Sequence, residues 1–71
     1  MSPVVKRSVA IRGHRTSYSV EQPFFEELRA IAQARGMRLA ALVAEIDAAR
    51  PEDTNLSSAI RLHVLANLKA R

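Results

Sequence analysis

The run Arg15-Thr16-Ser17-Tyr18-Ser19-Val20 constrains this chain more than any other stretch. Its side chains alternate, with Arg15, Ser17 and Ser19 on one side and Thr16, Tyr18 and Val20 on the other. Successive side chains of a strand point to opposite faces, so the pattern predicts a short strand with one polar face and one face fit for burial. A strand this short needs a neighbour to be stable. The same run from a second copy would supply one, and the two together would make a two-stranded ribbon.

Size points the same way. At 71 residues the chain makes one domain at most, and a domain of that length buries only about 60% of the surface of its unfolded chain. Folds this small usually lean on disulfides, a metal or self-association. With no cysteine, and with His14 and His63 too far apart in sequence to form a histidine-rich site, neither a disulfide framework nor a metal centre is expected. No cofactor is implied, and self-association is what remains.

The net charge of +4 is unevenly placed, because Lys6, Arg7, Arg12 and Arg15 all precede the first acidic residue, Glu21. A basic segment ahead of a nearly balanced body attracts polyanions, either nucleic acid or an anionic membrane surface. No apolar run approaches the roughly 20 residues of a membrane span, and the first residues lack the apolar core of a signal peptide. The expectation is a soluble cytoplasmic protein with no membrane partner.

Residues 1–14 form a basic arm or an outer hairpin strand. Arg12-Gly13-His14 offers a glycine turn that would fold Val4 to Ile11 back onto the strand at Arg15, but the same residues also suit an arm that orders on DNA. Pro23 then sets the first turn of a helix over about 23–35, with Glu26 and Glu27 expected to complement its positive end. Phe24, Leu28, Ile31 and Ala32 recur on one face, Phe25 flanks it, and Gly36 follows as the C′ residue. A second helix over about 38–50 carries Leu39, Leu42, Val43, Ile46 and Ala49. Pro51 to Thr54 break the chain, and Asn55 caps a third helix over about 55–70. Its apolar residues Leu56, Ile60, Leu62, Val64, Leu65 and Leu68 spread around more than one face, which predicts burial on more than one side.

The pattern Tyr18-Ser19-Val20 with Phe24, Phe25, Leu28, Ile31, Ala32 and Gly36 resembles the ribbon-helix-helix family of bacterial DNA-binding repressors. More narrowly, Gly13-His14-Arg15-Thr16-Ser17, the segment Ala41-Leu42-Val43-Ala44-Glu45-Ile46-Asp47-Ala48-Ala49-Arg50, and Asn55-Leu56-Ser57-Ser58-Ala59-Ile60-Arg61 look like a small bacterial branch of that family. The resemblance implies a mainly α fold with one short β-strand: an intertwined homodimer over residues 15–71, with an extra C-terminal helix. It implies a transcriptional regulator that lays an intermolecular two-stranded ribbon in the major groove of double-stranded DNA, with room for several dimers side by side. Carried over by position, Arg15, Ser17 and Ser19 would contact bases. Thr16, Tyr18, Val20, Phe24, Leu28, Ile31, Leu42, Val43 and Ile46 would form the dimer core. Chemistry agrees, since arginine grips a guanine edge bidentately and small hydroxyls serve several bases. Long cations make sequence-blind bonds, so Lys6, Arg7, Arg12, His14 and Arg38 are the expected phosphate contacts.

Two alternatives stay open. The family's second helix usually begins with a hydroxyl cap, which Met37-Arg38-Leu39 lacks and Asn55-Leu56-Ser57-Ser58 has, so either helix fits that place. The C-terminal helix is also more apolar than a simple dimer needs, which suits a protein-interaction module that binds a partner as the family's antitoxins do. For single residues, the plainer roles are a core position for Tyr18 rather than a stacking platform, and a packed or surface position for His63 rather than a metal ligand. No nucleophile elbow, metal-binding pair or phosphate-cradling glycine loop is present, so no enzyme is expected.

Overall fold

The computed structural model describes residues 3–70. Five elements follow in order: β1 (Val4–Ile11), β2 (His14–Glu21), α1 (Gln22–Ala34), α2 (Leu39–Ala49) and α3 (Leu56–Lys69). The expectation of a single strand is corrected, because two eight-residue strands form an antiparallel hairpin. The pairing partner of β2 is β1 of the same chain. Arg12 and Gly13 have φ of 53° and 80°, as a two-residue type I′ turn requires. A turn that short holds β1 beside β2 at very high local concentration, so the ribbon closes within one molecule.

Cross-strand pairs Ile11↔His14, Val9↔Thr16, Arg7↔Tyr18 and Val5↔Val20 share the face turned to the helices. Ile11, Tyr18 and Val20 are buried there. The other face carries Val4↔Glu21, Lys6↔Ser19, Ser8↔Ser17 and Ala10↔Arg15.

Helix α1 begins at Gln22 with Pro23 inside its first turn, and that turn holds no acidic residue. Glu26 instead lies one turn later, accepting a 3.3 Å hydrogen bond from Gln22 Nε2. At the other end Gly36 N–H bonds Gln33 O and Met37 N–H bonds Ala32 O. With Gly36 at φ 66°, this is a Schellman motif, which satisfies two end carbonyls and turns the chain towards α2. Arg35, the C-cap, reaches Glu45 on α2 with both guanidinium amines, at 2.6 and 3.0 Å.

Helix α2 starts after Arg38 with no side-chain cap. Helix α3 is capped, because Asn55 Oδ1 accepts from Ser58 N–H at 2.8 Å. The three helices close over the ribbon around Leu28, Leu42, Val43, Ile60 and Val64, all nearly free of solvent contact. Each such side chain contributes on the order of 1.5–3 kcal/mol by leaving water. Leu28, Ile31, Leu42, Val43, Ile46, Tyr18 and Val20 lie together in this core, while Thr16 and Phe24 are half-buried at its margin.

Candidate nucleic-acid interface

The outward face of the hairpin collects Lys6, Ser8 and Ala10 from β1 with Arg15, Ser17 and Ser19 from β2. Lys6, Ser8, Arg15 and Ser17 are exposed, and Ser19 is half-buried. The middle of the face is polar because Lys6 and Ser8 of β1 stand opposite Ser19 and Ser17 of β2, while Ala10 is small and Val4 lies at the far end. The cations here are also uncommitted to acids: the three ion pairs among the described residues are Arg35–Glu45, Arg50–Asp47 and Arg61–Glu21. Lys6, Arg12 and Arg15 belong to none of them, so the ribbon presents its positive charge outward.

Ser19 differs from its neighbours. In a hairpin with a two-residue loop the pair flanking the loop is hydrogen-bonded and the pattern then alternates, so Arg15, Ser17, Ser19 and Glu21 turn their backbone groups to the outer edge of β2. At Ser19 both groups are taken by α3: its N–H donates to Ser57 Oγ at 2.8 Å, and its carbonyl accepts from Arg61 Nη2 at 3.3 Å. Arg61 Nε also donates to Glu21 Oε1 at 2.9 Å, and this bond is the main reason the Glu21 carboxyl titrates below its ordinary value. The start of α3, not of α2, thus abuts the ribbon.

Arg7 sits on the helix-facing side, opposite Tyr18. Its guanidinium carbon lies 3.5 Å from the Phe25 ring centre and its Nη2 donates to Gln22 Oε1 at 2.9 Å. The arginine ties β1 to α1, and its charge partly offsets the effect of burial, which raises the Tyr18 hydroxyl's pKa. Arg12 and His14 stand at the hairpin tip beside Asp47 and Arg50. Arg38, at the uncapped start of α2, is exposed.

Sequence reasoning missed Ser8 and Ala10, and it separated Lys6 from the residues it now stands among. The signal was present: Val5, Val9 and Ile11 alternate with Lys6, Ser8 and Ala10 ahead of the Arg12-Gly13 turn. Among the described residues no group of three His, Cys, Asp or Glu could hold a metal ion, and no helix is long and apolar enough to cross a membrane.

No curated protein and no solved structure matches the chain significantly. The family model described as "Ribbon-helix-helix domain" matches residues 4–68, from the first residue of β1 to the last turn of α3. Proteins of that family are typically DNA-binding transcription regulators. The chain, with its paired ribbon followed by packed helices, belongs to the ribbon-helix-helix family.

Proposed function

We propose that this protein is a sequence-specific DNA-binding regulator of transcription that lays the outward face of its β1–β2 hairpin in the major groove. The observation that carries the reading is a narrow ribbon, polar on one side, whose exposed face brings Lys6 and Arg15 together with Ser8 and Ser17. A major groove about 12 Å wide admits a two-stranded ribbon. Arg15 and Ser17 read base edges and Ser8 lies across from them. Lys6 and Arg12 neutralise phosphates on either side, with Arg38 and His14 as outer phosphate contacts. Ser19, its backbone already held by α3, fixes the height of the ribbon and offers only its hydroxyl.

Selection of bound duplexes from a random pool supplies the operator, and replacement of both Arg15 and Ser17 by alanine tests the assignment. Both positions are exposed, so the double variant should keep its fold. Losing both readers should weaken specific binding by about 2–5 kcal/mol while weak salt-dependent binding persists. An operator bound as tightly by the double variant as by the wild type removes the ribbon from the reading.

A further inference from the structure

The two strands of the hairpin repeat one another. Lys6-Arg7-Ser8-Val9-Ala10-Ile11 and Arg15-Thr16-Ser17-Tyr18-Ser19-Val20 both place a cation, a serine and a small residue at alternate positions and end on an aliphatic. The pairing sets Ser8 opposite Ser17, Lys6 opposite Ser19 and Ala10 opposite Arg15. A half-turn about the normal to the sheet, taken between Ser8 and Ser17, therefore exchanges the two serines, Lys6 with Arg15, and Ala10 with Ser19. The matching belongs to the outward face. On the face turned to the helices the same half-turn exchanges Arg7 with Thr16, Val9 with Tyr18 and Val5 with His14, which are unlike, and only Ile11 with Val20 agree as buried aliphatics.

Packing does not ask for this symmetry, because Lys6, Ser8, Ala10, Arg15 and Ser17 are exposed and Ser19 is half-buried. A duplex does. Its two strands are related by a two-fold axis, and a two-fold in the protein is matched by a palindromic site. We propose that one hairpin by itself reads a self-complementary core in the major groove, with its local axis between Ser8 and Ser17, so that the two hydroxyls meet equivalent base edges on the two strands. The proposal rests on the reading of this face as the DNA contact, and it makes Ser8 a base reader equal to Ser17.

The two flanks of the core are equivalent in place but not in chemistry. Arg15 carries a planar fork that grips the O6 and N7 of a guanine, whereas the Lys6 ammonium is a point charge on a flexible stem and suits a phosphate. Guanine is thus selected on one flank only. The Lys6–Ser19 and Ala10–Arg15 pairs stand four residues apart along β1, about 13 Å of strand, which spans roughly four base-pair steps. Beyond them the symmetry ends. The Arg12-Gly13 turn lies on one side, and on the other Val4 faces Glu21, whose carboxylate is held by Arg61. Ala10 and Ser19, both small, leave the two cations room to enter the groove.

A gain of specificity tests this. Selection of duplexes from a random pool should return, for the wild type, a self-complementary centre with a guanine fixed on one flank. Lys6→Arg completes the symmetry, so it should add a guanine at the two-fold-related position of the other strand and prefer that full palindrome over the wild-type site by about five- to a hundred-fold. Ser8→Ala and Ser17→Ala should weaken binding to the selected duplex to a similar extent. All three positions are exposed, and circular dichroism spectra should match the wild type. A selected site with an asymmetric centre, a Lys6→Arg variant that selects the wild-type site unaltered, or a Ser8→Ala variant that binds like wild type overturns the symmetric reading and leaves the ribbon as the DNA contact. A wild type without sequence preference overturns both.

Discussion

The Ser57 hydroxyl on α3 accepts the backbone N–H of Ser19 on β2 at 2.8 Å, which ties the third helix to the strand that carries the proposed base readers. The bond spans 38 residues of sequence. It also occupies an edge position that another strand would otherwise use. The adjoining Arg61 bonds to the Ser19 carbonyl and the Glu21 carboxylate make the same joint three-pointed.

Ser57→Ala should therefore loosen this joint specifically. Loss of one half-buried hydrogen bond costs about 0.5–1.5 kcal/mol, and the Ser19 amide should exchange its hydrogen measurably faster. Native-state exchange followed by NMR checks this. An unchanged Ser19 rate would mean that the strand edge is protected by something other than α3.

Arg7 and Lys6 are neighbours in sequence but should behave oppositely. Arg7 stacks on Phe25 and bonds Gln22, so Arg7→Ala should cost stability, on the order of 1–3 kcal/mol for the stacking and the charged hydrogen bond together. Lys6 is exposed on the outward face, so Lys6→Ala should leave stability alone and lower the salt dependence of DNA binding by about one ion. Urea titration and binding at several salt concentrations separate the two. A drop in salt slope with Arg7→Ala at full stability would reverse the assignment.

The turn offers a change of opposite sign. Arg12 holds φ 53°, a region in which an ordinary side chain is strained and asparagine is favoured. Arg12→Asn should raise stability by roughly 0.5–1 kcal/mol while weakening binding to any duplex, since a phosphate contact is lost. Thermal unfolding and a filter-binding series with unrelated duplexes measure the two effects. A more stable variant with undiminished affinity would remove Arg12 from the interface.

Acid should act through two carboxylates. Glu21 and Glu45 are held below their ordinary value of 4.5 chiefly by hydrogen bonds from Arg61 and Arg35. A carboxyl whose folded pKa is depressed favours folding fully above its unfolded value, and that support fades as pH falls through the folded pKa. Stability should thus be level near neutrality and decline below about pH 4.5. Glu21→Gln and Glu45→Gln should each flatten part of that decline. Urea midpoints across the acid range test it, and profiles parallel to wild type would show that neither pair contributes.

Local rules were enough to find much of this protein. Proline at 23, glycine at 36 and asparagine at 55 act through their own backbone or an adjacent amide, so the helix starts and stops were legible in the sequence. So was the two-sided character of residues 15–20, because side-chain alternation depends only on strand geometry. What the sequence left open was the partner of that strand. The arm-or-hairpin choice at residues 4–11 rested on whether a two-residue turn with arginine at positive φ could be held, and tertiary packing decided it: Arg7 fastened to Phe25 and Gln22, and Ile11 buried in the core, draw β1 onto β2. The ribbon expected from two chains is built by one. Tertiary structure also sorted the cations, which composition counts alike, into Arg7 and Arg61 that brace the fold and Lys6, Arg12 and Arg15 that face outward. Charge and alternation are properties of a residue and its neighbours in sequence, whereas which groups share a face, and which are already spent on one another, depends on contacts between distant parts of the chain.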